Sequence, residues 1–533
     1  MSFDCIPITA IPHSSKLFQD YLGHIPQVAD FYPHPPTPQA IAKYARELAY
    51  PAERREQVAE ILLRQNRLWG AGDATLQAIE HFRAGAVSVV SGQQVGLFGG
   101  PLYSLLKAAS AIQLARELTA KGIDAVPVFW LATEDHDLPE VNESILPERT
   151  GDLKHFASTT RGRTNSPVGD VRFPAEIEAL AREAAELLGE SDATQALLDS
   201  YREGETFGSA FAKLFSRLFH KTGLILIDPL DPGLHAVAGP LLLQAAERAE
   251  EIDAALLHRG QELHKRGYHE QVKVTPASTT LFTLEGGERT VLHLANGGFM
   301  IGARAVSRAE ILKNIAERPD LYSPNVLLRP LVQDYLLPTV AYFGGPAEIA
   351  YFAQVATVYQ KLLGRVTPVL PRLSLTVINS RMERLLHRYG IQLPDLFHGT
   401  ECLCETLARK VLPPSTQQSF EDASQTVEKA LAQLQQELSE LDPTLVESAE
   451  KASKKMLFQV SRLGKRAARA ELRRNERICT EAMEIEGHLF PDKGLQERTI
   501  AGVYFLAMHG PELLERFVEV AAQHCPGHQL LRI

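Results

Sequence analysis

Ala86-Val-Ser-Val-Val-Ser-Gly-Gln-Gln-Val-Gly-Leu-Phe-Gly-Gly-Pro-Leu-Tyr103 is the stretch whose reading decides the fold. Its apolar start is a short buried strand, and a helical pattern follows from Leu102 to about Ala120. The loop between them holds Gly92, Gly96, Gly99 and Gly100. A glycine-rich strand-to-helix loop gathers backbone N–H groups and a helix N-terminus at one point, which suits an anionic or polar ligand. The alternative is a tight turn that needs glycine only for packing. Gln93 and Gln94 add side-chain donors and acceptors.

Working outward, Gly122 sits where a helix C-cap glycine is expected, and Ala125-Val-Pro-Val-Phe-Trp-Leu131 reads as a second buried strand. Strand, loop, helix and strand make a right-handed βαβ unit of a parallel sheet. Gly223–Pro229, Asn325–Leu328, Thr339–Phe343 and Val366–Leu370 are further strand candidates. In such sheets ligands bind beyond the carboxyl ends of the strands. The alternation is interrupted twice. Residues 151–204 are helical and charged, with the polar run Ser158–Asn165 near the start. Residues 246–320 carry Thr279–Leu284 and Arg289–Leu294, with Asn296-Gly-Gly298 as a turn, the pattern of a small α+β insertion with a hairpin.

The last third is helical. Phe420, Val427, Leu434 and Leu441 recur every seven residues, with Leu431 and Leu438 between them, and Asp442-Pro443 ends the run. Leu445, Ala449, Ala452, Met456, Val460, Leu463, Ala467 and Ala470 mark a second long helix reaching about Ile485. The two predict an antiparallel coiled-coil hairpin. Ten Lys/Arg and two Glu lie between Lys451 and Arg477, either a solvated face or a basic flank for an anionic ligand or acidic partner.

Composition excludes several classes. The 533 residues are 45% hydrophobic and 23% charged, with a formal net charge of −10, as in an ordinary soluble globular protein. Nothing global points to nucleic acid or a membrane surface. No apolar run reaches bilayer length, and Met-Ser-Phe-Asp-Cys has no basic start of a signal peptide. Cys5, Cys402, Cys404, Cys479 and Cys525 are few, odd in number and scattered, which predicts a reducing cytoplasm and no disulfide framework. Cys402 and Cys404 are too close for a standard zinc pair.

The chemistry concentrates in three segments. Ala132-Thr-Glu-Asp-His-Asp-Leu-Pro-Glu-Val-Asn142 follows the second strand, and five of its eleven residues are acids or histidine. Glu134, Asp135, His136 and Asp137 there could orient an amine, transfer protons or bind a metal; adjacent residues rarely all reach one ion. Arg329 and Asp334 stand among apolar neighbours, where an unpaired charge is costly, so they form an internal ion pair or belong to a site. Gly344-Gly-Pro346, with Glu348 in the following first turn, repeats the Gly99-Gly-Pro101 theme and predicts two similar turns across one cleft.

Five blocks in one order carry a family resemblance. Ser-Gly-Gln-Gln-x-Gly-Leu-Phe-Gly-Gly-Pro-Leu-Tyr (91–103), Pro-Val-Phe-Trp-x-Ala-x-Glu-Asp-His-Asp (127–137) and Leu-Arg-Pro-Leu-Val-Gln-Asp-Tyr-Leu-Leu-Pro-Thr (328–339) are three of them. Gly-Gly-Pro-x-Glu-Ile-Ala-Tyr (344–351) and Leu-Phe-Pro-x-x-x-Leu-Gln-Glu-Arg (489–498) complete the set. Together they resemble the cysteine-adding enzymes of bacillithiol biosynthesis, also called cysteine ligases. The resemblance implies an α/β protein with a Rossmann-like parallel-sheet core of the class I aminoacyl-tRNA synthetase and nucleotidyltransferase type. Two connecting-peptide insertions and a coiled-coil domain complete that architecture. The implied core is 1–150, 205–245 and 321–385, with insertions at 151–204 and 246–320, a helical domain at 386–500, and a segment at 501–533 returning to the core.

The implied reaction joins the L-cysteine carboxyl group to the amine of glucosaminyl malate, in the cytoplasm, by a homodimer formed through the coiled coil. No tightly bound cofactor is implied; ATP or ADP with magnesium would serve activation. The superfamily's His-x-Gly-His signature is replaced by Gly96-Leu-Phe-Gly99, and no Lys-Met-Ser-Lys-Ser-like loop follows a core strand. Asp135, His136 and Asp137 would bind the amine and take its proton, His136 being the best base at neutral pH. Backbone N–H groups near Gly96, Gly99 and Gly100 would hold phosphate. Gln93 and Gln94 would bond substrate hydroxyls or the cysteine ammonium, and Arg329 the malate carboxylates. Tyr103, Glu134, Asn142, Asp334, Gly344, Gly345 and Glu348 complete the expected substrate site. Another amide-forming or nucleotidyl-transferring enzyme on the same core, or a non-catalytic coiled-coil scaffold, are the competing readings.

Overall fold

The computed structural model describes residues 4–533 except 24, 149, 163, 164, 286, 287, 296, 400–402, 405, 408, 409, 411 and 475. Expectations for Arg163, Thr164, Asn296 and Cys402 therefore lie outside the described residues. The chain forms two compact units. The first comprises Met1–Leu146, Lys154–Thr376 and Glu497–Leu530, the second Pro147–Leu153, Val377–Gln496 and Leu531–Ile533. The expected insertion 246–320 falls inside the first unit, and so does 151–204 from Lys154 onward.

Five parallel strands organise the first unit: β1 (Val87–Gln93), β2 (Ala125–Leu131), β3 (Ile225–Ile227), and, after an intervening sheet, β9 (Thr339–Gly344) and β10 (Val369–Pro371). Their spatial order is β10-β9-β1-β2-β3. The β1–β2 ladder runs in unbroken register from Val87 opposite Ala125 to Gln93 opposite Leu131. Both faces of these strands are covered, so they read as continuous apolar runs rather than alternating ones. β2 is buried at every residue.

From β1 the chain passes through the helix Tyr103–Ala120 to β2 on one side; from β9 it passes through the helix Pro346–Leu362 to β10 on the other. Strand order thus reverses between β1 and β9, which places a crevice outside their carboxyl ends. Gly122 takes the left-handed conformation (φ +79°) at the first helix's exit.

Between β3 and β9 lies an antiparallel sheet: β4 (Ser278–Glu285), β5 (Glu288–Ala295), β6 (Gly298–Ile301), β7 (Arg304–Val306) and β8 (Tyr322–Pro324), ordered β7-β6-β5-β4-β8. Asn325–Leu328, expected as a strand, is instead the turn into the helix Arg329–Leu336. Asn325 Oδ1 accepts the N–H groups of Leu327 and Leu328, and Pro330 stands in the helix's first turn. Local capping outcompetes the apolar run.

The cysteine expectation is corrected. Cys5 and Cys525 form a disulfide with Cα atoms 6.4 Å apart, across 520 residues of sequence. The strand Asp4–Ile6 pairs antiparallel with Gln529 and its neighbours, and so brings the two chain ends together.

In the second unit the helices Pro414–Leu441 and Leu445–Arg474 pack as the expected hairpin. Phe420, Val427, Leu431 and Leu438 are half-buried, and Gly464 receives the Phe420 ring. Leu434, Leu441, Met456 and Leu463, expected in the seam, are exposed. Val460 faces inward as expected, and Leu457 joins it in the second helix. Lys454, Lys455, Arg462, Lys465 and Arg466 are solvated. Cys404 and Cys479 are free thiols that share a hydrogen bond, and burial pushes the Cys404 thiol up to about 12. No helix among the described residues is long and apolar enough to cross a membrane.

Gly92 shows how tightly the crevice edge is built. A Cβ there would stand 2.6 Å from the Trp130 carbonyl oxygen, inside the β1–β2 ladder. Gly92→Ala is expected to cost about 1–3 kcal/mol, read as a lower thermal midpoint of the full-length protein.

Candidate active site

The crevice at the β1/β9 reversal holds a cavity of about 390 Å³. Its floor is a buried ion pair. Lys107, on the first turns of the helix after β1, points back beneath the strand end. Its ammonium donates to the Gly92 carbonyl (2.7 Å) and Gln93 Oε1 (2.8 Å) and lies 2.5 Å from Glu348 Oε2. Burial lowers the Lys107 pKa, against the pull of Glu348. Burial would raise that of Glu348, but Lys107 and the Gly345 N–H outweigh it and hold the carboxyl below its ordinary value. Glu348 also accepts from Gly345 N (2.7 Å) and Tyr342 Oη (2.5 Å).

The cavity has two poles. One is cationic. Arg329 Nη1 donates to Gln333 Oε1 (3.1 Å), and its Nη2 to the hydroxyls of Tyr351 (3.2 Å) and Tyr342 (3.4 Å). No carboxylate pairs with it among the described residues. Burial opposes its charge, yet Tyr342, Tyr351 and Glu348 outweigh burial and raise its pKa. Arg372 and Arg498 lie 5.2 and 5.9 Å over the Tyr103 ring. Arg372 is anchored to Glu497 at 2.7 Å.

The other pole is acidic. Gln94 Nε2 donates to both Asp135 Oδ2 (2.8 Å) and Glu140 Oε2 (2.7 Å). Glu134 joins them in the wall, 3.3 Å from His235 Nε2. Arg289 reaches this wall from β5 and donates to Ser323 Oγ at 3.0 Å. Burial lowers its pKa, opposed by Glu134 and Asp135.

Of the expected residues, Gln93, Gln94, Tyr103, Glu134, Asp135, Arg329, Gly345 and Glu348 line the cavity. The others do not. The N–H groups of Gly96, Gly99 and Gly100, expected to hold phosphate, are already bonded to the carbonyls of Gln94, Gly96 and Leu97. Gly99 N also donates to Tyr201 Oη. Left-handed turns at Phe98, Gly99 and Gly100 close this loop on itself, and Gly100 carries Gly502 by its carbonyl. The loop's glycines serve packing.

His136 sits behind the wall, its ring 6.1 Å from that of Phe282 and its Nδ1 3.4 Å from Arg289 Nη1. Asp137 stands before the turn Leu138–Val141, makes no side-chain capping bond and is exposed. Asn142 donates to the Ser158 carbonyl. Asp334 is buried among Tyr359 and Gln333, away from Arg329, so the two expected partners are not an ion pair. Gly344 ends β9, where a Cβ would meet that of Glu348 at 2.9 Å.

Sequence reasoning missed Lys107, Glu140, Arg289, Arg372 and Arg498. Lys107 was signalled by its place as the one cation in the apolar first half of its helix, ahead of Arg116, and Arg498 closes the 489–498 block; Arg289 and Arg372 come from distant segments and carry no local signal. No group of three or more His, Cys, Asp or Glu side chains among the described residues is placed to hold a metal ion.

Glu497, the partner of Arg372, also accepts from Ser374 Oγ, which is bonded to a buried histidine. His528 is wholly buried between the hydroxyls of Ser374 and Thr376, each 2.8 Å away, and burial lowers its pKa from 6.5 to about 4. The folded state therefore refuses a proton that the unfolded chain accepts. Stability should be full above 6.5 and fall by about 3 kcal/mol as the pH drops towards 4. Urea midpoints against pH should show this slope, and His528→Gln should flatten it.

Comparison with known proteins fits this architecture. A family model described as "Bacillithiol biosynthesis BshC, N-terminal Rossmann-like domain" matches residues 1–373, and one described as "Bacillithiol biosynthesis BshC, C-terminal coiled-coil domain" matches 375–533. A relative from Koribacter versatilis is 47% identical over 99% of each chain. Others from Solibacter usitatus (36%, 100% of each) and Salinibacter ruber (33%, 99% of this chain and 98% of the other) are similar along their whole lengths. All three carry the name "Putative cysteine ligase BshC". With both halves matched in order, the chain belongs to the BshC family of bacillithiol biosynthesis.

Proposed function

We propose that this chain is the ligase that joins the carboxyl group of L-cysteine to the amine of glucosaminyl malate. The observation that carries the reading is the two-pole cavity. A desolvated guanidinium without a counter-ion is expensive unless a ligand anion completes it. Arg329, backed by Tyr342 and Tyr351, offers that place to a carboxylate of malate, with Arg372 and Arg498 beside it. The acidic pole takes amines.

Amide formation requires a neutral amine to attack an activated carboxyl carbon; the activating group then leaves with its electron pair and the nitrogen loses a proton. Asp135 lines the cavity and is held by Gln94, so it is the carboxylate that receives this proton. His136 supports it from outside the cavity. ATP or ADP with magnesium remains the proposed source of activation. The Gly96–Gly100 backbone is already spent, so no phosphate step is assigned to it.

Arg329→Met should weaken glucosaminyl malate binding about 100-fold, measured by calorimetry alongside L-cysteine, ATP and ADP. Asp135→Asn should abolish bacillithiol in cells lacking the native gene, whereas His136→Ala should keep a measurable amount. The opposite order would return the base to His136, and normal thiol in the deletion strain would end the ligase reading.

The active species is proposed to be a cytoplasmic homodimer formed through the helical hairpin. Leu434, Leu441, Met456, Phe458 and Leu463 leave apolar surface on that hairpin exposed. Light scattering should give twice the chain mass, and Leu463→Glu with Phe458→Glu should give the monomer; a wild-type monomer at working concentration would refute the dimer.

A further inference from the structure

Behind the acidic pole lies a histidine that the reaction above does not use. His235 stands on the first turn of the helix Pro232–Glu247 and is 6% exposed. Its Nδ1 is 3.3 Å from the Pro319 carbonyl oxygen, and its Nε2 is 3.3 Å from Glu134 Oε1. A carbonyl oxygen and an ionised carboxylate only accept hydrogen bonds, so each ring nitrogen must carry a proton to satisfy its partner. A neutral ring can serve one of them and sets its other lone pair against an oxygen. Leu234, Leu242, Val332 and Leu336 line the surrounding space, and the Tyr322 backbone is a further acceptor that favours a protonated ring.

The charges around this pair agree. Glu134 and Asp320 are the acids that act on His235, and the Pro319 and Tyr322 backbones add to their pull. Burial opposes the charge, but Glu134 and these groups outweigh it, and the His235 pKa is raised. On the other side of Glu134 stand Arg289 and, buried near Thr133, Asp228. Glu134 is itself nearly buried, yet lines the cavity. A carboxylate so placed is costly to keep without a cation beside it.

We infer that His235 is a positioning residue: fixed as an imidazolium between the Pro319 carbonyl and Glu134, it holds the Glu134 carboxylate ionised in the wall as the seat for the ammonium group of the amino-acid substrate. The substrate half of this statement rests on the ligase reading; the ion pair does not. The two acids nearest the reaction then divide the work. Glu134, tied to a cation, binds an ammonium group and leaves its protons in place. Asp135 is hydrogen-bonded by the Gln94 amide and the His136 N–H, with the His136 ring 3.8 Å away and Arg289 acting on it through charge alone, and it is the acid left to accept one.

Two measurements on the full-length protein test this. Nitrogen-15 NMR of histidine-labelled protein, with His235→Gln identifying the signal, should show both ring nitrogens protonated near neutral pH. A neutral tautomer there overturns the inference, whatever the enzyme does. Calorimetric titration with L-cysteine should then show His235→Gln about tenfold weaker than wild type near neutral pH, the ratio closing as the pH rises. Glu134→Gln should stay weak at every pH. An unchanged ratio across pH for His235→Gln overturns the positioning role, since a merely structural defect would not be repaired by losing a proton. If the imidazolium is present and the folded wild-type protein does not bind L-cysteine, the ligase reading fails and the ion pair stands.

Discussion

A single buried ammonium ties together the two strand ends on which the cavity is built. Lys107 bonds the Gly92 carbonyl and the Gln93 amide at the end of β1, and pairs with Glu348 at the start of the helix after β9. A buried pair of this kind gives little net stability over an apolar substitute, yet removing one partner strands a charge. Its effect is specificity of position. It fixes how far apart the ends of β1 and β9 stand, and with them the distance between the acidic and cationic poles. Gly344 stands where a Cβ would meet that of Glu348, and Gly92 where one would meet the Trp130 carbonyl of the neighbouring β2, so neither strand end has room for a larger residue.

From that floor the two poles follow as consequences of topology. In a parallel sheet all carboxyl ends face one way, and the reversal between β1 and β9 opens the crevice there. Acids arrive on the loop after β2, one arginine on the helix after β8, another on the antiparallel sheet, and two more from beyond β10. Each cation except Arg329 has an internal acid or carbonyl to hold it, or solvent. Arg329 has tyrosine hydroxyls and an amide, which orient a guanidinium without neutralising it. The geometry is that of a site awaiting an anion, and it separates binding of a carboxylate from handling of an amine by the width of the cavity.

The glycine loop at 96–100 carries a different lesson. Its composition is that of a phosphate cradle, but its N–H groups are consumed by its own tight turns and by Tyr201. Composition reports which conformations a loop can reach; it does not report whether the N–H groups it gathers are still free. The same ambiguity applied to His136. Its chemistry made it the best base, while its ring packs near Phe282, beside Arg289 but outside the cavity lining. The heptad in the hairpin was legible for the same reason that it was imperfect: period seven marks an apolar stripe, and the stripe is wider than the seam, so Leu434 and Leu463 fall outside it.

The amino-acid sequence by itself determined the parallel core, the hairpin and the segments that reach the crevice. Buried strands, capped helices and heptads are written in local periodicity, and the order of the βαβ unit forces its handedness. Only the tertiary structure decided which groups face one another. Lys107 with Glu348, Glu134 with His235, Arg372 with Glu497 and Cys5 with Cys525 are contacts between residues more than 90 positions apart. Each depends on strand order and on the rotation of a helix about its axis, and neither quantity leaves a local trace in sequence.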